Sequence, residues 1–156
     1  MAARLDLRIA SEAWTANIKN LQALCQAAVE AGLDVHGASH DSALDVVLTD
    51  DAEMHALNEA WRGKAKPTDV LSFPSGDETG QFLGDIAIGF GVASKDARLA
   101  KKSLEAHLSH LLIHGVLHLL GYDHIEDKAA ETMEALERTA LSKLGYDDPY
   151  SQIVPN

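Results

Sequence analysis

Apolar and polar positions alternate at Leu5, Leu7 and Ile9, and this period of two predicts a strand near the start of the chain. The spacing then changes. Ile18, Leu21, Leu24, Cys25, Ala28 and Val29 recur at helical intervals, with Gly32 expected to stop the helix. The apolar run ALDVVL at 43–48 reads as a buried strand. Asp50 stands three residues before Glu53, the pattern of a capping box, and Met54, Leu57 and Trp61 mark the inner face of the helix it opens. Gly63 and Pro67 end that helix. DVLSF at 69–73 and LGDIAIG at 83–89 are two further strands around the polar loop PSGDETGQ. Three helices are expected after them, at about 91–102, 103–120 and 126–144. Strands come early and helices late, which favours an α+β domain with one small mixed sheet over a doubly wound fold. No internal repeat or linker divides the 156 residues, so one domain over 1–156 is expected.

Composition narrows the function. Hydrophobic residues make up 46% and charged residues 24%, an ordinary globular balance. The net charge of −11, with histidine neutral, excludes the broad basic surface of a general nucleic-acid coat protein but leaves room for a local basic groove. Cys25 is the single cysteine, so the chain can form no internal disulfide. No apolar stretch approaches the roughly 20 residues that span a bilayer, and no basic start leads into a long apolar run. The expectation is a cytoplasmic protein without a membrane partner.

Residues 103–120, SLEAHLSHLLIHGVLHLL, are apolar around nearly the whole helical circumference, the mark of a buried helix. His107, His110, His114 and His118 interrupt it at spacings of 3, 4 and 4, which align them on one stripe. Buried imidazoles need partners, so the stripe is either satisfied by hydrogen bonds or faces a metal. The continuation HGVLHLLGYDH favours metal. His114 and His118 lie one turn apart, Gly121 can turn the chain back through a positive φ, and His124 then arrives beside them. Three neutral imidazoles with a position left open are the frame of a catalytic zinc site, although the same set also suits nickel or cobalt. His107 and His110 fit better as core or supporting histidines. Gly115 stands where a zinc peptidase carries its glutamate, so the helix lacks that general base. A substrate that brings its own charge, such as a phosphodiester, instead needs cations near the developing negative charge.

WRGKAK offers such cations. Arg62, Lys64 and Lys66 fall within five residues of a chain short of positive charge, and arginine suits bidentate phosphate contact. The same residues are equally compatible with a solvated helix end, favourably placed at the C-terminal dipole.

HGVLHLLGYDH, preceded by WRGKAKPTDVLSFP and LGDIAIG in that order, resembles the YbeY family of bacterial endoribonucleases. The resemblance implies a single-strand-specific, zinc-dependent endoribonuclease in ribosomal RNA maturation, at the 3′ end of 16S rRNA, and in ribosome quality control. It places the zinc ligands at His114, His118 and His124 and the functional arginine at Arg62; Lys64 and Lys66 are candidate RNA contacts from the clustering of basic residues alone. It implies a mixed four-stranded sheet with helices and a zincin-like placement of the metal helix. Single-stranded ribosomal RNA and small-subunit ribosomal proteins are the expected partners, and DNA is not. The role of Asp85, in the GDI segment, is left open. Two rival readings stand beside this one: a metallopeptidase or other small-molecule hydrolase, disfavoured by Gly115, and a non-catalytic ribosome-assembly factor whose metal only ties the 121–124 turn to the helix.

Overall fold

Leu5 and Leu7 turn inward from β1 (Arg4–Ile9), while Asp6 and Arg8 turn outward, as the alternation requires. The structure, a computed structural model, describes residues 3–37, 42–62, 69–123 and 126–150. β1 pairs in parallel with β2 (Ala43–Thr49), and β2 in parallel with β4 (Phe82–Gly89). β3 (Val70–Pro74) lies antiparallel on the far side of β4, giving a mixed four-stranded sheet in the order β1-β2-β4-β3. Parallel neighbours need crossovers. The first carries α1 (Glu12–Asn17) and α2 (Leu21–His36), and the second carries α3 (Asp51–Arg62) and then β3 itself. α4 (Phe90–Leu99), α5 (Leu104–Leu119) and α6 (Asp127–Lys143) complete the chain. The architecture is the expected α+β.

α2, α5 and α6 pack together on one face of the sheet, and the main core lies between them and Leu44, Val46, Leu48, Ile86 and Ile88. The other face carries a smaller cluster of Met54, Leu71 and Ala87 beneath α3. Asp50 caps α3 as expected, its Oδ1 accepting from the Glu53 amide at 2.9 Å.

Two expectations fail locally. Gly32 does not stop α2, which runs on to His36 and ends where Gly37 adopts φ 80°. Gly32 is instead the point where α2 approaches α5: a Cβ there would stand 3.1 Å from Val116 Cγ1. The short helix α1 was not expected at all. It is fixed by Trp14, which is fully buried, donates from Nε1 to the Thr49 carbonyl at 2.9 Å and meets the Phe90 ring edge-on at 5.1 Å.

Candidate metal centre

Ser103 begins α5, its hydroxyl accepting from the Ala106 amide at 3.0 Å. Leu108, Leu112, Ile113, Val116 and Leu117 bury the helix from several sides. The four histidines form one continuous row, with successive ring centroids 6.4, 6.4 and 4.4 Å apart from His107 to His118. The rings draw together only at the C-terminal pair, where His114 Nε2 and His118 Nε2 are 3.0 Å apart.

Both rings of that pair are oriented from behind. His114 donates from Nδ1 to Glu137 Oε2 at 2.7 Å, and His118 donates from Nδ1 to the Tyr122 carbonyl at 2.9 Å. The Tyr122 acceptor is available because the helix closes in a Schellman turn. Gly121 takes φ 104°, its amide donates to His118 O, and the Tyr122 amide donates to Leu117 O, each at 3.0 Å. His36, at the end of α2, pairs through Nδ1 with the Tyr122 hydroxyl at 2.8 Å, tying the turn to the helix layer.

Glu137 on α6 is the residue that sequence reasoning missed. Its side chain is fully buried. Burial alone would push its carboxyl up, but hydrogen bonds from His110, His114 and Tyr150, with the charge of His110, outweigh burial and hold it down at about 2. The carboxylate therefore accepts at both oxygens: from His114 at Oε2, and from His110 (2.7 Å) and the Tyr150 hydroxyl at Oε1. Burial, and then Glu137, raise Tyr150 above the ordinary phenol range, so it stays a donor. A signal was present in the sequence: Glu137 sits in the stripe Met133, Glu137, Ala140, Leu141, an acid on an otherwise apolar helix face.

These orientations define the chemistry. With the Nδ1 protons directed at Glu137 and Tyr122, two neutral rings turn their Nε2 lone pairs toward each other at 3.0 Å. Two such lone pairs repel unless a proton or a metal ion stands between them. An acceptor behind each imidazole is also the usual second layer of a histidine–metal site.

Gly115 has a further reason to be glycine. Its Cα faces β4, where a Cβ would lie 2.9 Å from Ile86 Cδ1 and 3.1 Å from Ile86 Cγ2, and its carbonyl accepts from Ser72 Oγ at 3.3 Å. A side chain at this position requires Ile86 to move.

Arg62 is the last residue of α3, and its side chain is outside the described part of the structure. Lys64, Lys66 and His124 are outside the described residues. Asp85 lies on the α3 side of the sheet, in register with Asp45, which is in register with Asp6. The three carboxylates line an open groove of about 1200 Å³ that contains none of the histidines of α5. Burial, and then the charges of Asp85 and Asp6, push the Asp45 carboxyl up. His107 belongs to a separate group with Asp69 and Asp96, able to hold a metal ion, whose ligand atoms all lie within 4.8 Å of one another. No helix among the described residues is long and apolar enough to cross a membrane.

A four-stranded mixed sheet backed by a buried histidine helix, with a converging histidine pair at the helix end, defines the class of α+β protein to which this chain is assigned. The family model for the endoribonuclease YbeY matches residues 8–145, and the chain belongs to that family. The protein called endoribonuclease YbeY in Sinorhizobium medicae (strain WSM419) is 41% identical over 165 residues, covering 97% of this chain and 98% of the relative. Its namesake in Rhizobium meliloti (strain 1021) is also 41% identical, over 166 residues and the same shares. The solution structure of TM1509 from Thermotoga maritima is similar with a TM-score of 0.57 at 25% identity, covering 97% of this chain and 99% of that one.

Proposed function

We propose that this chain is a metal-dependent endoribonuclease that cuts single-stranded RNA, acting in ribosomal RNA maturation at the 3′ end of 16S rRNA and in ribosome quality control. Zinc is the proposed ion, held by His114, His118 and His124. The observation that carries the reading is the approach of the two Nε2 atoms, 3.0 Å apart and each backed by an acceptor on its own Nδ1. Family membership supports the RNA substrate. Small-subunit ribosomal proteins are the proposed partners, and the cytoplasm the proposed compartment.

When bound, zinc supplies Lewis acidity and positive charge beside a phosphodiester. The chain's own residues do the rest. Glu137 holds His114 in the tautomer that presents a lone pair from Nε2, and the Tyr122 carbonyl does the same for His118. His110 and Tyr150 keep Glu137 ionised. Arg62 is the group proposed to meet the charge that develops on the phosphate, through its two-pronged guanidinium. Lys64 and Lys66 are proposed to contact flanking phosphates. Packing of Ile86 against Gly115 keeps a glutamate base off the helix, which speaks against the peptidase reading.

The test uses one preparation of zinc-loaded protein on end-labelled single-stranded RNA, the same RNA annealed to its complement, and casein, each with and without chelator. Cutting of the single strand alone, abolished by chelator, is expected. Proteolysis with intact RNA would overturn the proposal, and chelator-resistant RNA cleavage would remove the metal from it.

A further inference from the structure

His107 lies on α5 seven residues before His114, which is roughly 10 Å of helix rise. It does not join the Glu137 network. Its side chain is only 11% exposed, and neither ring nitrogen has a hydrogen-bond partner among the described residues. A neutral imidazole carries one N–H and one lone pair, and leaving such groups buried and unmet is unfavourable. The ring is aimed at two carboxylates from two other elements. Asp69 stands just before β3, with Oδ2 3.9 Å from His107 Nε2, and Asp96 lies on α4.

Three arrangements are open to this group. A proton shared between Asp69 and Asp96 would ease their repulsion but leave the imidazole unmet. Protonating His107 would pair it with Asp69, but burial, and then His110, hold His107 down at about 4, so it is neutral near pH 7. A divalent cation answers more of the group than either proton arrangement, leaving only the ring N–H without a partner among the described residues. It neutralises both carboxylates and takes the imidazole lone pair.

We propose that Asp69, Asp96 and His107 hold a second divalent cation. The set of two carboxylates and one imidazole is harder than a set of imidazoles, and it suits an ion that accepts both oxygen and nitrogen, with Mn²⁺ the representative. At roughly 10 Å along the helix it is too far from His114 to act with it as a two-metal pair, which needs about 3.5–4 Å. Its role is to pin three elements together: the start of β3, α4 and α5. Asp69 follows the basic stretch Arg62–Lys66 closely in sequence and directly precedes β3, so the ion fixes the chain at the start of that strand. The site itself does not rest on the ribonuclease reading.

The experiment titrates Mn²⁺ into metal-stripped full-length protein and follows the free ion by electron paramagnetic resonance. Wild type, Asp96→Asn, His107→Gln and His118→Ala are compared, each checked for folding by circular dichroism. One saturable Mn²⁺ is expected in wild type. Binding should weaken at least tenfold in Asp96→Asn and in His107→Gln and persist in His118→Ala. Mn²⁺ should raise the Tm of His118→Ala and leave that of Asp96→Asn unmoved. Should one cluster variant fail to fold, the other decides. Absence of saturable binding overturns the proposal, as does binding that survives both cluster substitutions. Loss in His118→Ala with retention in Asp96→Asn also overturns it, because the ion would then sit at the histidine pair.

Discussion

Glu137 is an acid on the apolar face of α6, and its partners explain why it is tolerated there. Replacing it with glutamine keeps the shape but gives one of the three donors another donor to face. Glu137→Gln is expected to lower metal affinity by about 10- to 100-fold, read by competition against a chelator. Unchanged affinity would reduce Glu137 to a core contact. The same carboxyl carries a pH signature. Its pKa falls from 4.5 to about 2 on folding, so its contribution to stability is complete above pH 4.5 and is lost as pH falls toward 2. The loss is at most about 3 kcal/mol. Metal-free wild type should therefore lose stability more steeply than Glu137→Gln across that window. Gly115 makes a different demand, one of space. Gly115→Ala places a methyl against Ile86 and should destabilise by about 1–3 kcal/mol in a denaturant titration. Gly115→Glu should unfold the protein rather than create a peptidase.

α5 and its closing turn work as one piece. The turn aims the Tyr122 carbonyl at His118, and it depends on Gly121 at φ 104°. Gly121→Ala strains that conformation by about 1 kcal/mol or more, and it should lower metal affinity more than it lowers Tm. Equal metal binding in the variant would detach the turn from the site. Periodicity made most elements legible in the sequence. The alternation of β1, the apolar run of β2, the capping box of α3 and the limits of α4 to α6 all follow from local pattern. Gly32 misled because a glycine that ends a helix and one that admits a neighbouring helix look alike in one dimension. α1 has six residues and no repeat to detect, and its stability comes from Trp14 meeting Thr49 and Phe90 across the chain. The histidine stripe was legible because helical spacing encodes it. Glu137 was not, because it lies 23 residues from His114 and only packing of α6 on α5 unites them.

For the whole molecule, charge and architecture pull in different directions. A net charge of −11 opposes approach by RNA, so the proposed function makes binding rest on the proposed ion and on the proposed contacts of Arg62, Lys64 and Lys66. Three phosphate contacts on a single strand predict a shallow dependence of log affinity on log salt, with a slope of about −2. A much steeper slope in fluorescence-anisotropy titrations would require a basic surface that this account does not contain. The groove on the α3 side of the sheet is lined by Asp6, Asp45 and Asp85 together with Arg8, and it contains none of the histidines of α5. The central claim, that the converging histidines hold the ion on which RNA cleavage depends, is tested most directly in His118→Ala. Metal content and cleavage of single-stranded RNA are measured on the same folded preparation beside wild type. The account predicts that both fall together, with cleavage reduced at least a hundredfold. Full cleavage by protein that has lost its metal would contradict it.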